Sequence, residues 1–236
     1  MRRLLFAATL GIFASVTSSA QDERETIEGN GKSVTRDLPV KSFTELEASG
    51  VYELKLTQGN TESVKIEADE NLQQYFTVSN EGSKLIIDTK KLKNKNLKGK
   101  VKMKVYVTFK NLKSMELNTV GSVQSENQLV FDDLDLKSKS VGNMAMKLTA
   151  NKINIENKGV GNLELAGKAQ DAVVKNKGVG ALEASDFVVQ TMDIDNSGVG
   201  AASVNAQKTL KVKDSFLGKV SNKGSAPVRK MNKVAI

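Results

Sequence analysis

The chain of 236 residues contains no cysteine, no histidine and no tryptophan, and only two prolines. Each absence removes a class of chemistry. Without cysteine there is no disulfide, thiol nucleophile, iron–sulfur cluster or lipid-modified N-terminal cysteine. Without histidine there is no Ser–His–Asp triad, no His₂Glu zinc site and no imidazole acid or base near neutral pH. An enzyme built on this chain would rely on carboxylates, lysine, tyrosine or serine. Aromatic residues are 5% of the chain, and Tyr52, Tyr75 and Tyr106 are its only tyrosines. That scarcity argues against a lectin built on aromatic platforms and against stacking on single-stranded nucleic acid.

Long apolar runs are also missing, apart from one at the N-terminus. Arg2 and Arg3 precede a 13-residue apolar stretch, Leu4–Val16, and Ser18-Ser19-Ala20 follows it. This is the pattern of a secretory signal peptide over residues 1–20, cleaved near Ala20–Gln21. The stretch is shorter than the ~20 residues of a membrane span, and no later segment approaches that length. The mature protein is therefore expected in the periplasm, on the outer-membrane surface or outside the cell. The chain carries 35 basic and 27 acidic side chains, a net charge of +8. An exported basic protein favours anionic partners: acidic polysaccharide, lipopolysaccharide or another envelope component, with nucleic acid set aside. The plain alternative is that lysine keeps a β-rich surface soluble and blunts its edges.

What the chain does have is a repeat. Six tripeptides end in glycine: Thr119-Val120-Gly121, Ser140-Val141-Gly142, Gly159-Val160-Gly161, Gly178-Val179-Gly180, Gly198-Val199-Gly200 and Phe216-Leu217-Gly218. Successive final glycines lie 21, 19, 19, 20 and 18 residues apart. Six residues before each stand Met115, Leu136, Ile155, Val174, Ile194 and Val212; two residues after stand Val123, Met144, Leu163, Leu182, Ala202 and Val220. Apolar residues alternate with polar ones on both sides of the turn, the period of a strand and not of a helix. A unit this short cannot bury its apolar face alone, so neighbours must stack. The expected architecture is all-β: a right-handed parallel β-helix of coils near twenty residues, each with three short strands and glycine corners.

Stacking in register makes a prediction about charge. Five residues before each final glycine stand Glu116, Lys137, Glu156, Lys175, Asp195 and Lys213, and their signs alternate down the column. Parallel pairing would set each carboxylate between two ammonium groups, a device for register, since like charges opposite one another destabilise a sheet. The next column reads Leu117, Ser138, Asn157, Asn176, Asn196 and Asp214, on the inward face by parity. Its asparagines predict a buried amide ladder; neutral amides do not suit calcium.

The first half is less regular. Residues 21–37 are polar and aperiodic and read as a disordered lead-in. Tyr52–Leu56 and Val64–Ala68 flank Gln58-Gly59-Asn60 as a hairpin would, and Phe76 and Val78 face Leu85 and Ile87 across Asn80-Glu81-Gly82. Residues 101–109 alternate as a half-buried strand. No proline- or glycine-rich linker divides the halves, so one domain is expected over 38–230, irregular over 38–110 and regular over 111–222, with 231–236 as a tail. The densest charge is Lys91, Lys93, Lys95, Lys98, Lys100, Lys102 and Lys104, beside Lys90. Together with the column Lys139, Lys158 and Lys177, it is the candidate anion-binding surface; solvated loops and turn edges are the alternative. No catalytic, metal or cofactor site is expected.

Ser49-Gly50-Val51, Leu54, Leu56 and Gln58-Gly59, then stacked Gly-x-Gly turns, then Ser225-Ala226-Pro227, resemble the GIN domain over Val40 to Arg229. This exported family, common in Bacteroidota, is catalogued as an autotransporter adhesin head. The resemblance implies a β-helix-like fold and carries over no catalytic residue. The glycine pair degrades at the outer repeats to Thr119, Ser140 and Phe216. No β-barrel translocator follows the last coil, so the autotransporter half of the label is not expected to apply.

The leading functional expectation is a non-catalytic envelope or surface module for binding or adhesion. Two alternatives stay open: a lyase-like polysaccharide enzyme seeded by Asp132, Asp133 and Asp135, and a purely structural envelope protein.

Overall fold

The computed structural model describes residues 24–99 and 101–231, and their regular structure is almost all strand. The first half carries β1 (Thr26–Glu28), β2 (Ser33–Leu38), β3 (Glu45–Val51), β4 (Glu53–Gln58), β5 (Ser63–Asp69), β6 (Thr77–Glu81), β7 (Lys84–Asp88), β8 (Asn96–Lys98) and β9 (Met103–Phe109). The second carries β10 (Ser114–Val120), β11 (Val123–Ser125), β12 (Leu129–Ser138), β13 (Met144–Asn157), β14 (Leu163–Asn176), β15 (Leu182–Asn196), β16 (Ala202–Asp214), β17 (Val220–Asn222) and β18 (Val228–Lys230). The predicted signal peptide lies outside the described residues, as do Lys100 and all of the tail beyond Met231. Among the described residues no helix is long and apolar enough to cross a membrane.

From β10 to β16 the strands stack in parallel as a β-solenoid of about six turns. Equivalent residues of successive repeats pair: Met115 with Leu136, Leu136 with Ile155, Ile155 with Val174, Val174 with Ile194 and Ile194 with Val212. These side chains are buried, and the intervening positions point to solvent, so the period-2 pattern becomes one continuous aliphatic core.

The two apolar runs of each repeat do not form separate strands. They fuse into single strands of 14, 14 and 15 residues in β13, β14 and β15. The corner lies inside the strand, where the alternation slips by one residue. In β13 both Asn151 and Lys152 are exposed between buried Ala150 and Ile153. Backbone pairing to the neighbouring coils continues through this bend, so no break in strand interrupts the repeat.

At the other corner the valines of the tripeptides bridge in parallel, Val120 to Val141, Val160, Val179 and Val199 in turn. Gly161 shows why the final glycine recurs. Its φ is +127°, and a Cβ there would stand 2.3 Å from the carbonyl oxygen of Gly142 one coil below. Gly121, Gly142, Gly180 and Gly200 share this left-handed backbone, whereas Gly159, Gly178 and Gly198 are needed for closeness to the coil beneath. The last turn departs from the series: Gly218 closes it through a bond to Ser215 O at 3.2 Å, and Phe216 is 88% exposed.

The inner asparagines form a ladder. Asn157 Nδ2 donates to Asn176 Oδ1 at 2.8 Å, Asn176 Nδ2 to Asn196 Oδ1 at 2.7 Å, and Asn196 Nδ2 to the Gly218 carbonyl at 2.8 Å. All three side chains are buried. A buried amide is costly unless bonded, and here each finds an identical partner one rung away.

Three expectations for the first half are corrected. The polar lead-in is not featureless: β1 pairs with β8, and β2 pairs antiparallel with β5, Arg36 opposite Ile66. Backbone pairing to β8 and β5 orders a segment whose own side chains bury little. The segments flanking Gln58-Gly59-Asn60 are not a hairpin, because β9 lies between them, parallel to β4 and antiparallel to β5. A strand that buries Met103, Val105, Val107 and Phe109 on one face outcompetes the local turn. The hairpin of β6 and β7 does form, with Val78 opposite Ile87.

The third correction concerns the reach of the repeat. β3 pairs with β10 and β4 with β11, placing Gly50 opposite Thr119 and Val51 opposite Val120. The first half therefore supplies another rung of the solenoid. The chain between β4 and β10 makes an excursion through β5 to β9, which hides this rung from any search at a twenty-residue period.

Candidate functional site

The lysine-rich segment is partly used inside the fold. Lys104, half-buried on β9, donates to Glu67 Oε1 at 3.2 Å, and Tyr106 donates to Glu67 Oε2 at 2.8 Å. The Tyr106 hydroxyl and the Lys104 ammonium together hold the Glu67 carboxyl below its usual value, and Glu67 raises both partners in return. Lys95 bonds Glu25, which raises its ammonium above the ordinary range, and it stands over the ring of Tyr75 at 5.9 Å. Lys91 donates to the Gln74 carbonyl at 3.1 Å, and Lys98 lies opposite Glu28 in the pairing of β1 with β8. Lys93 and Lys102 remain exposed and make no ion pair among the described residues. Part of the segment's charge is thus taken up by Glu25 and Glu67.

The second lysine set is brought together. Lys139, Lys158 and Lys177 each begin a turn, and their backbone N–H groups bond Leu117 O, Ser138 O and Asn157 O at 2.8–2.9 Å, one coil below. This sets the three side chains in one exposed column. Two residues upstream runs the alternating column, where the pairing places Glu116 opposite Lys137, then Glu156, Lys175, Asp195 and Lys213 in turn. In this column only Asp195 and Lys213 close an ion pair along the stack, at 2.9 Å. Glu156 turns instead to Lys158 at 2.6 Å, and that bond, ahead of the fields of Lys175 and Lys137, lowers its carboxyl. The alternation also ends at the first rung, where Glu47 lies opposite Glu116 and is met by Lys84 at 3.5 Å.

Lys137, Lys139 and Lys158 share a shallow hollow of about 200 Å³ with Glu116 and Glu156. Lys175 and Lys177 continue its positive edge one rung further, and neither forms an ion pair among the described residues. An anion entering here would meet several ammonium groups on rungs ~4.8 Å apart. The acidic cluster of β12 does not converge in the same way. Asp133 lies opposite Lys152, and Asp135 accepts from Asn154 at 2.7 Å.

One feature escaped the sequence reading altogether. At the corner inside β13, β14 and β15, a broader hollow of about 670 Å³ is lined by Gln128, Thr149, Asn151, Lys168, Gln170 and Gln190. Its signal in the sequence is the pair of successive outward residues that interrupts the alternation in each repeat.

Comparison with known proteins agrees with this architecture. The family described as "Putative auto-transporter adhesin, head GIN domain" matches residues 42–226. A crystal structure titled a putative adhesin from Bacteroides fragilis is 30% identical, with a TM-score of 0.73 over 87% of this chain and 100% of its own. A putative adhesin from Parabacteroides distasonis, 19% identical, superposes with a TM-score of 0.63 over 88% of this chain and 96% of its own. A structure titled a putative lipid binding protein, also from Parabacteroides distasonis, is 19% identical, with a TM-score of 0.60 over 88% of this chain and 100% of its own. These last two likenesses bear on the fold alone. No curated protein matches the chain. With the match spanning nearly the whole solenoid, the chain belongs to the GIN-domain family.

Proposed function

We propose that this protein is an exported, non-catalytic binding module of the cell envelope or surface, and that it holds anionic glycans, lipopolysaccharide among them, on the lysine ridge of its coils. The observation that carries the reading is the alignment of Lys139, Lys158 and Lys177 beside Lys137 and Lys175 on successive rungs. A rigid parallel stack presents these charges at fixed intervals, which suits a polyanion of repeating units and gains from several weak contacts at once. The adhesin description of the family supports a binding role, and the signal-peptide pattern of residues 1–20 supports export.

The test is binding of the mature protein to polygalacturonate and to lipopolysaccharide vesicles over a range of ionic strength. Binding is expected to weaken steeply with salt. Lys139→Glu with Lys177→Glu should weaken it about tenfold at low salt, while Lys93→Glu with Lys102→Glu should do less. Absence of binding at low salt overturns the reading, and a larger loss in the second pair moves the site to the lysine-rich segment.

A further inference from the structure

The coils carry a second amide ladder, on their outside. Ala150 pairs with Ala169 and Lys152 with Asp171, which sets Asn151 beside Gln170. Ala169 pairs with Val189 and Asp171 with Thr191, which sets Gln170 beside Gln190. Two residues upstream on the same outer face, Thr149 pairs with Lys168 and Lys168 with Val188, forming a parallel wall. Between the walls run Ala150 and Ala169, whose methyls turn into the core, so their backbone forms the floor of the hollow of about 670 Å³.

The two amide ladders differ in what they bond. Inside, Asn157, Asn176 and Asn196 satisfy one another and the last turn. Outside, the side chains of Asn151, Gln170 and Gln190 make no hydrogen bond to any of the described residues. A primary amide offers one carbonyl acceptor and two N–H donors, so each rung presents both kinds of group to the groove. Gln128 adds a further amide, held at 3.3 Å to the Thr149 hydroxyl. Charge in and around this groove is balanced: Lys168 stands in one wall, and Asp132 continues the amide column one rung below, beside the pairing of Phe131 with Ala150.

We infer that this groove is a binding site for an extended, neutral, hydroxyl-rich polysaccharide lying along the solenoid axis. Sugar hydroxyls both donate and accept, and amides answer both at once. The exposed Val188 side chain gives the apolar face of a ring a surface to rest on. A balanced groove does not select for anions, which separates this site from the lysine ridge. With no aromatic platform, each rung contributes weakly, and the repeat supplies the affinity. The site lies on different columns from the ridge, so its failure leaves the anionic reading untouched.

The experiment is retardation of the mature protein in native gels cast with mannan, a neutral β-glucan, a neutral galactan or polygalacturonate, each at low and high salt. At least one neutral polymer should retard the protein equally at both salt concentrations. The triple variant Asn151→Ala, Gln170→Ala, Gln190→Ala should lose that retardation about tenfold or more. Gln170→Trp, which fills the groove from its outer wall, should lose it as well, while Lys139→Glu with Lys177→Glu should keep it. Unchanged melting curves confirm that the variants are folded. Retardation by polygalacturonate alone, by no neutral polymer, or undiminished in both groove variants overturns the site.

Discussion

In the coils every long strand pairs in parallel with its equivalent in the next repeat, whereas in the first half β9 lies between a parallel partner, β4, and an antiparallel one, β5. The cores differ accordingly. The coils are filled mainly by Leu, Ile, Val, Met and Ala, with Phe131 and Phe187 as their buried aromatics, while the first half packs Phe43, Tyr52, Phe76 and Phe109 into an irregular space. Polar burial follows the same division. The coils bury amides because translation along the stack brings each one its own kind. The first half matches single groups individually: Tyr52 donates to the Ile87 carbonyl at 3.1 Å, and Thr89 Oγ1 accepts from Val51 N–H at 2.9 Å. Repetition thus lets one solution serve many rungs, and it also makes each rung depend on the next.

The sharpest contrast is one substitution made in both regions. Gly180→Ala places a Cβ 2.3 Å from the Gly161 carbonyl oxygen at a φ of +131°, with backbone as the obstacle. It should cost ~4 kcal/mol or more, seen as a lowered urea midpoint by circular dichroism. Gly82→Ala in the turn between β6 and β7 has φ +59° and no neighbour within 4 Å, and should cost only ~1 kcal/mol. Equal losses would mean that the coil turns are not as closely stacked as described.

Asn176→Ala comes next. It strips a partner from Asn157 Nδ2 and another from Asn196 Oδ1, both buried, and should destabilise by about 2–4 kcal/mol in the same assay. A negligible change would show that water replaces the amide.

Tyr52→Phe probes the individually matched pattern of the first half and should cost about 1 kcal/mol at neutral pH. Burial, aided by Asp88, pushes the Tyr52 hydroxyl well above its ordinary value of 10.0. Above that value the unfolded chain loses this proton and the folded chain keeps it. The hydroxyl's contribution is therefore complete below pH ~10 and falls as pH rises further. The alkaline loss of stability should be shallower in Tyr52→Phe; an identical alkaline limb would refute the assignment.

The smallest effect belongs to the exposed charge column. Glu156→Lys removes the partner of Lys158 and sets three lysines in succession with Lys137 and Lys175. A modest fall in melting temperature at low salt, vanishing at high salt, is expected. Because Lys158 holds the Glu156 carboxyl below its usual value, the wild-type contribution should persist above that value and disappear as the carboxyl is protonated in acid. No salt dependence at all would leave the alternating column without a role in register.

Much of this was legible in the residues. Gly-Val-Gly at near-constant spacing, with apolar columns on either side, implied stacked parallel strands, and Asn157, Asn176 and Asn196 implied the inner ladder. The rung formed by β3 and β4 was not legible, because Val51 and its partner Val120 are separated by the excursion through β9. Nor was the place of β9, since strand order follows from which long apolar face fits between which neighbours. Of the candidate lysines, one column could be aligned from spacing alone, but the neutralisation of Lys95 and Lys104 required knowing where Glu25 and Glu67 fold back.

By itself, then, the sequence determined the repeating unit: its period, its inward and outward faces, and the residues that translation places above one another. These are local properties, fixed by strand alternation and glycine geometry. The tertiary structure alone decided the fusion of two runs around an inner corner, the pairing of the irregular half and the partners of the lysines. It also decided the opening of a groove beside Asn151, Gln170 and Gln190. Those depend on contacts between residues far apart in the chain, where the loss of water from apolar faces, and not any local pattern, selects the neighbour.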